Sequence, residues 1–127
     1  MFQKFLVPEL RQILGMGSHG IYHLDGIEQV RHLDLLLGLP QLELIQFVAS
    51  TRPGDPNSQD PLLFVKEFRR ILEAGKKVLV MCPVHQRHNL EPLLNAIPRR
   101  GVIICVYSGA DELVAEEVLQ TLDKIGA

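Results

Sequence analysis

The chain has 127 residues, of which 46% are hydrophobic and 22% are charged, and its formal net charge is −2 at pH 7. This length and hydrophobic content fit one folded domain over residues 1–127 and exclude an intrinsically disordered chain. The charge provides no basic field for nucleic acid, and no apolar run approaches the ~20 residues of a membrane-spanning helix. Cys82 and Cys105 lie in apolar segments, which is typical of a reduced cytoplasmic protein with buried thiols. We therefore expect neither a nucleic-acid nor a membrane partner.

Short β-branched segments alternate with helical patterns along the chain. The predicted strands are 21–24, 42–49, 78–82 and 102–107. The predicted helices are a leading helix over 2–14, followed by helices over 27–38, 60–75, 85–97 and 112–125. Continuous apolar strands between helices are typical of a parallel sheet. The sequence thus predicts an α/β fold of four parallel βα units after a leading helix, which is half of an eight-stranded (β/α) barrel. A small doubly wound, flavodoxin-like sheet is the alternative.

Two polar side chains mark the carboxyl end of the first predicted strand, where parallel sheets bind ligands. His23 and Asp25 are two residues apart, so their side chains leave the same face of the strand. Such a pair could share a metal ion such as zinc, or act as a base with its orienting partner. They are the candidate catalytic residues and the candidate metal ligands. The alternative interpretation is a histidine hydrogen-bonded inside the sheet and an aspartate that caps the next helix.

Other candidates lie in the loops at the same edge of the sheet. His85 and Arg87 begin a predicted helix, whose free N–H groups favour an anion, although a solvated first turn is the alternative. Arg52 lies in the loop 50–60, which is about twice as long as the roughly 2–6 residues usual for such connections. It could steer a carboxylate or phosphate, or belong to a simple surface excursion. The candidate ligand-binding residues are Gln46, Arg52, His85, Arg87 and Ser108.

Several runs of the sequence resemble one enzyme superfamily. The runs Tyr-His-Leu-Asp-Gly at 22–26, 31–36 and Leu-Ile-Gln-Phe at 44–47, with 74–78 and 111–119, resemble the uroporphyrinogen decarboxylase-like superfamily. The resemblance is greatest to its uncharacterised relatives of corrinoid and cobalamin methyltransferases. It spans most of this chain but only the carboxyl-terminal half of the family's barrel, and it implies a site at the carboxyl ends of parallel strands.

The same resemblance implies a role for His23. In the methyltransferase branch, zinc binds a His-x-Cys motif and a later cysteine; His23 matches the histidine, while Asp25 stands where the first cysteine would be. In the decarboxylase branch, key arginines and an aspartate come from the amino-terminal part of the barrel, outside the stretch that the resemblance covers. Whether this chain is an enzyme therefore stays open.

Two functions follow from these observations. The first is a half-barrel domain of this superfamily that binds a small anionic or metal-bound ligand at the strand carboxyl ends, with methyltransferase- or decarboxylase-related chemistry. The second is a non-catalytic interaction or structural module that self-associates or completes a barrel with a partner. Because the first and fourth strands would both be edges with unpaired backbone groups, we expect a homodimer or an amino-terminal half-barrel partner.

Overall fold

The structure, a computed structural model, describes Pro8 and residues 20–107 and 112–126. Its strands are β1 (Gly20–Asp25), β2 (Leu42–Val48), β3 (Lys77–Pro83) and β4 (Val102–Tyr107). Its helices are α1 (Gly26–Val30), α2 (Leu33–Leu37), α3 (Val65–Glu73), α4 (Leu90–Ala96) and α5 (Glu112–Lys124). Two 3₁₀ helices, Pro61–Phe64 and Val84–Asn89, lead into α3 and α4. The predicted leading helix over 2–14 lies outside the described residues except at Pro8.

The four strands form one parallel sheet in the order β1-β2-β3-β4. The predicted α/β fold with four parallel strands and alternating helices is therefore confirmed. This arrangement is compatible with half of a barrel and with a flavodoxin-like sheet. Its sequential order is the one that successive units of a (β/α) barrel adopt.

The pairing register is staggered from strand to strand. Asp25, the last residue of β1, pairs with Val48, the last residue of β2. Val48 pairs with Met81, two residues before the end of β3, and Met81 pairs with Cys105, two residues before the end of β4. A row of paired residues that starts at the carboxyl end of β1 therefore lies two residues before the carboxyl end of β3 and of β4. Closing a sheet into a barrel requires a stagger of this kind.

The main core lies on one face of the sheet. On this face, alternate residues of the central strands β2 and β3 are buried, as are the helix residues that cover them. Phe47 of β2 is central, with its ring centroid 5.0 Å from that of Phe64 and 4.8 Å from that of Phe68. These tilted and edge-to-face contacts fix α3 and its preceding 3₁₀ helix against the sheet.

Three predicted helices are divided in the structure. The predicted helix over 60–75 begins as the 3₁₀ helix Pro61–Phe64, and only α3 is α-helical. The prediction of one helix over 27–38 was wrong, because α1 ends at Val30 and α2 begins at Leu33. The backbone N–H of His32 donates to the carbonyl of Gln29 at 2.9 Å, and this tight turn lets Leu33 reach the core. The predicted helix over 85–97 likewise begins as a 3₁₀ helix, and only α4 is α-helical. Pro92 lies in the first turn of α4, as the sequence required.

Candidate functional site

The second face of the sheet carries most of the polar candidates. We call it the open face, and its residues alternate with the core residues along each strand: Ile21, His23, Asp25, Leu44, Gln46, Val48, Lys77, Leu79, Met81, Pro83, Ile103, Cys105 and Tyr107. None belongs to either hydrophobic core cluster, and all except Pro83 are exposed or half-buried. Ile21 is 66% exposed and Ile103 48% exposed, at the two edges of the sheet. The open face is therefore a largely apolar surface with polar side chains among its members.

His23 and Gln46 are neighbours on this face, because they are paired in the register of β1 and β2. The amide nitrogen of Gln46 donates to the sulfur of Met81 at 3.5 Å. His23 is exposed and has no hydrogen-bond partner within the described residues. The described residues therefore do not show the alternative arrangement, in which the His23 side chain is hydrogen-bonded inside the sheet.

Asp25 is engaged by the loop that follows β2. Its carboxylate accepts a hydrogen bond from the hydroxyl of Ser50 at 2.5 Å and does not cap α1. The backbone N–H of Ile27 also donates to the carbonyl of Ser50, at 3.0 Å. Gly26, between them, has φ +55°, and a Cβ there would overlap Ser50. The capping interpretation of Asp25 was wrong, because the close approach of this loop supplies a better donor.

The described residues contain no group of three or more His, Cys, Asp and Glu side chains that could hold a metal ion. Within the described part of the chain, His23 and Asp25 would bind zinc as a pair, whereas catalytic zinc sites in proteins use three protein ligands. Both cysteines are free, and they face opposite sides of the sheet. Cys82 is buried among core residues, and burial, followed by the nearby charge of Asp60, raises the pKa of its thiol to about 11. Cys105 is half-buried on the open face, so the expectation that it is a buried thiol was wrong.

A buried polar cluster joins the second and third loops at the carboxyl edge. The side-chain amide of Asn89 donates to the carboxylate of Asp60 and to the amide oxygen of Gln86, both at 2.8 Å. Asp60 also accepts from the backbone N–H of Leu62 at 2.9 Å and so caps the 3₁₀ helix Pro61–Phe64. Gln86 and Asn89 are each 8% exposed. Neither residue was predicted from the sequence, because Asp60, the carboxylate partner of Asn89, is 29 residues away.

The long loop 50–60 is held by its own hydrogen bonds and by β4. The N–H of Gln59 donates to the carbonyl of Ala49 at 2.7 Å, and the N–H of Thr51 to the hydroxyl of Ser58 at 3.2 Å. The hydroxyl of Tyr107 donates to the side-chain oxygen of Gln59 at 3.2 Å. Burial raises the pKa of Tyr107, so this phenol stays protonated as a donor.

The remaining candidates do not converge. Arg52 is exposed on the loop 50–60, and His85 is exposed on the 3₁₀ helix before α4. Arg87 donates to the carbonyl of Val84 at 2.9 Å and pairs with Glu117 of α5 at 3.2 Å, so its guanidinium is engaged away from the open face. Ser108 lies outside the described residues. Of the candidates, the structure brings together only His23, Asp25 and Gln46, on β1 and β2.

Two depressions lie at the opposite, amino edge of the sheet, with volumes of about 670 and 480 Å³. Lys76 lines both, and its ammonium donates to the carbonyls of Leu39 at 2.8 Å and Leu42 at 2.6 Å. Burial lowers the pKa of Lys76, and Glu43 partly opposes that effect. Lys76 therefore ties the α2–β2 connection to the start of β3, and its charge is already used by the fold.

Comparison of the chain with protein-family models, curated proteins and solved structures gave no match. No helix among the described residues combines the length and the apolar character needed to cross a membrane. The features that remain to be explained are the open face and the few polar residues on it.

Proposed function

We propose that this chain is an interaction module that self-associates through the open face of its sheet. The observation that carries the proposal is the face itself, which is apolar along all four strands and lies outside both core clusters. Contiguous apolar surface of this extent is rare on a soluble monomer and marks an interaction site. Of its bulky members, Ile21 is paired with Leu44 and Leu79 with Ile103 in the register of the sheet, and the polar residues Lys77 and Gln46 lie beside Leu44 and Leu79.

The flank beyond β4 supports the same function. The core-side residues Val78, Val80 and Cys82 of β3 are 0% exposed, whereas their register partners in β4 are only half-buried. On α5, Leu113 is 77% exposed and Leu119 is 66% exposed. Apolar side chains are thus left exposed or half-buried on β4 and on α5, the last strand and the last helix of the fold.

The polar groups at the carboxyl edge favour a non-catalytic module over an enzyme. Asp25 is held by Ser50, Asp60 and Asn89 satisfy one another, and Arg87 pairs with Glu117. A catalytic base must be within hydrogen-bond reach of the proton that it removes, and a nucleophile must be adjacent to such a base. Asp25, Asp60 and Arg87 at this edge therefore already have structural partners.

Sedimentation of two matched variants tests the proposal. Ile103 is 48% exposed on the open face, and Leu63 is 49% exposed on the 3₁₀ helix before α3. We expect the unaltered chain to sediment as a dimer at micromolar concentration. Ile103→Glu should dissociate it to one chain, because the dimer would bury an unpaired charge, whereas Leu63→Glu should stay dimeric. A single-chain mass for the unaltered protein, or dissociation by both variants alike, would overturn the proposal.

A second candidate function is binding of a small anion beside His23. The observation that favours it is the exposed imidazole of His23 next to the amide of Gln46 in the strand register. Titration with inorganic phosphate, followed by the NMR signals of the histidine rings, tests this function. We expect the His23 signal to shift and that of exposed His88, on the 3₁₀ helix, to stay unchanged. Equal shifts at both rings would mean nonspecific binding and would contradict the function.

A further inference from the structure

We infer that two copies of this chain close one eight-stranded parallel barrel, with β4 of each copy paired against β1 of the other. The inference rests on the proposed self-association and specifies its geometry. The alternative geometry is two sheets stacked face to face without backbone pairing. The two arrangements cover the same open face, but they place different residues in contact.

The edges of the sheet favour the barrel. Within the described residues, β1 pairs only with β2 and β4 pairs only with β3, so each has one edge without a strand partner. Since all four strands run the same way, β4 of one copy can continue the sheet into β1 of a second copy as another parallel pair. A two-fold axis along the barrel repeats this contact once and leaves no edge. Stacked sheets would leave all the edges open.

The register across the sheet favours the same arrangement. A parallel barrel of eight strands has a shear of eight, which is about one residue per strand and about four residues over half of the barrel. The row of paired residues that begins at Asp25 reaches Cys105 in β4. Asp25 is the last residue of β1, whereas Cys105 lies two residues before the end of β4. Closing the barrel shifts this row by about four residues along β1, from Asp25 to the partner's Ile21, which then lies beside Cys105. A shift in the other direction would place the row in α1, outside the strand. Two residues further along, Tyr107 lies beside the partner's His23.

This pairing also covers the uncovered flank. The helix after each strand of a barrel packs between that strand and the next, so α5 would lie over the new pair of β4 and the partner's β1. Leu119, now 66% exposed, would then face the partner's α1, where Ile27 is 45% exposed. Inside the barrel, bulky branched residues of the open face would form the filling that parallel barrels use. At the carboxyl end of the barrel, His23 of one copy and Tyr107 of the other would lie side by side. This pair of polar side chains would exist only in the dimer.

A crosslink between β4 and the partner's β1 tests the geometry. In Ile21→Cys, the new thiol and native Cys105 are expected side by side across the interface. Mild oxidation should join these neighbouring thiols as disulfides, so that most chains become covalent dimers held by two such bonds and no Cys105 stays as a free thiol. Buried Cys82 should stay unmodified, because its thiol is 0% exposed. Lys66→Cys, on the exposed surface of α3, is the matched control and should give no covalent dimer.

The outcomes separate this inference from the proposed function. If Ile21→Cys sediments as a dimer but does not crosslink, the barrel is wrong and self-association stands. Crosslinked chains longer than two would mean an open contact between edges and would also overturn the barrel. If the protein sediments as one chain, both proposals fail, including the case in which residues 1–19 cover the open face within one chain. Circular dichroism matching that of the unaltered protein verifies that the variant is folded.

Discussion

The hydroxyl of Ser50 donates a 2.5 Å hydrogen bond to the carboxylate of Asp25, and so links the loop after β2 to the end of β1. The carbonyl of Ser50 accepts from the N–H of Ile27, so one residue holds both sides of the β1–α1 turn. Asp25, which the sequence suggested as a metal ligand, therefore has a structural role in this turn. The conformation of this turn depends on how closely the two segments approach.

Gly26→Ala tests that close approach. Gly26 combines φ +55° with backbone and side-chain atoms of Ser50 where a Cβ would lie. We expect the substitution to lower the free energy of unfolding by about 3 kcal/mol or more, because backbone strain and overpacking act together. Urea denaturation measures the loss.

Gly54→Ala is the control for backbone strain alone. Gly54 has φ +84°, and a Cβ there would have no neighbour within 4 Å. A loss of about 1–2 kcal/mol is expected for a left-handed alanine without a clash. Equal losses at Gly26 and Gly54 would show that contact with Ser50 contributes nothing.

Local chemistry made some parts of the fold predictable. The bounds of β4 agree with the predicted strand over 102–107, because four of its six residues are Val or Ile, which favour strands. Asp60 caps its helix and Gly75 adopts φ +81° at the end of α3, as their positions in the sequence indicated. These features depend on residues a few positions apart.

The features that the sequence did not disclose depend on contacts between distant segments. Asp25 was expected to cap α1, but Ser50, 25 residues away, supplies the donor. Asn89 has its carboxylate partner, Asp60, 29 residues away, and no local pattern indicates that pair. Cys105 was expected to be buried, and it is half-buried because the described residues leave the open face uncovered. Burial of a strand face depends on the whole assembly of elements.

Asn89→Ala should destabilise the carboxyl edge of the sheet. The substitution removes the donor shared by Asp60 and Gln86 and leaves two acceptors poorly hydrated. A decrease of about 1–3 kcal/mol in the free energy of unfolding is expected. Asn57→Ala, at an exposed position in the loop 50–60, should change stability by less than about 0.5 kcal/mol. Similar effects of the two variants would contradict a structural role for the buried cluster.

Lys76→Met should loosen the amino edge of the sheet. The ammonium of Lys76 donates to the carbonyls of Leu39 and Leu42, and methionine keeps much of the aliphatic stem without the donor. The loss should be about 1–2 kcal/mol, since water can hydrate part of this half-buried site. Neighbouring Lys77 is exposed, so Lys77→Met should be nearly neutral by the same chemical denaturation. Protein in which both substitutions are neutral would show that the Lys76 contacts add no net stability.

The thiol of Cys82 should make stability fall in alkaline solution. Its pKa is raised from the ordinary value of 9.0 to about 11, first by burial and then by the charge of Asp60. Because the folded pKa lies above the unfolded one, this contribution is fully present below pH 9 and is lost as pH rises toward 11. The loss should be on the order of 2 kcal/mol, measured as the change in urea stability between those limits. Cys82→Ala creates a cavity and lowers stability throughout, so the slope against pH is the informative quantity. The slope should become shallower in Cys82→Ala, and an unchanged slope in that variant would contradict a buried, protonated thiol.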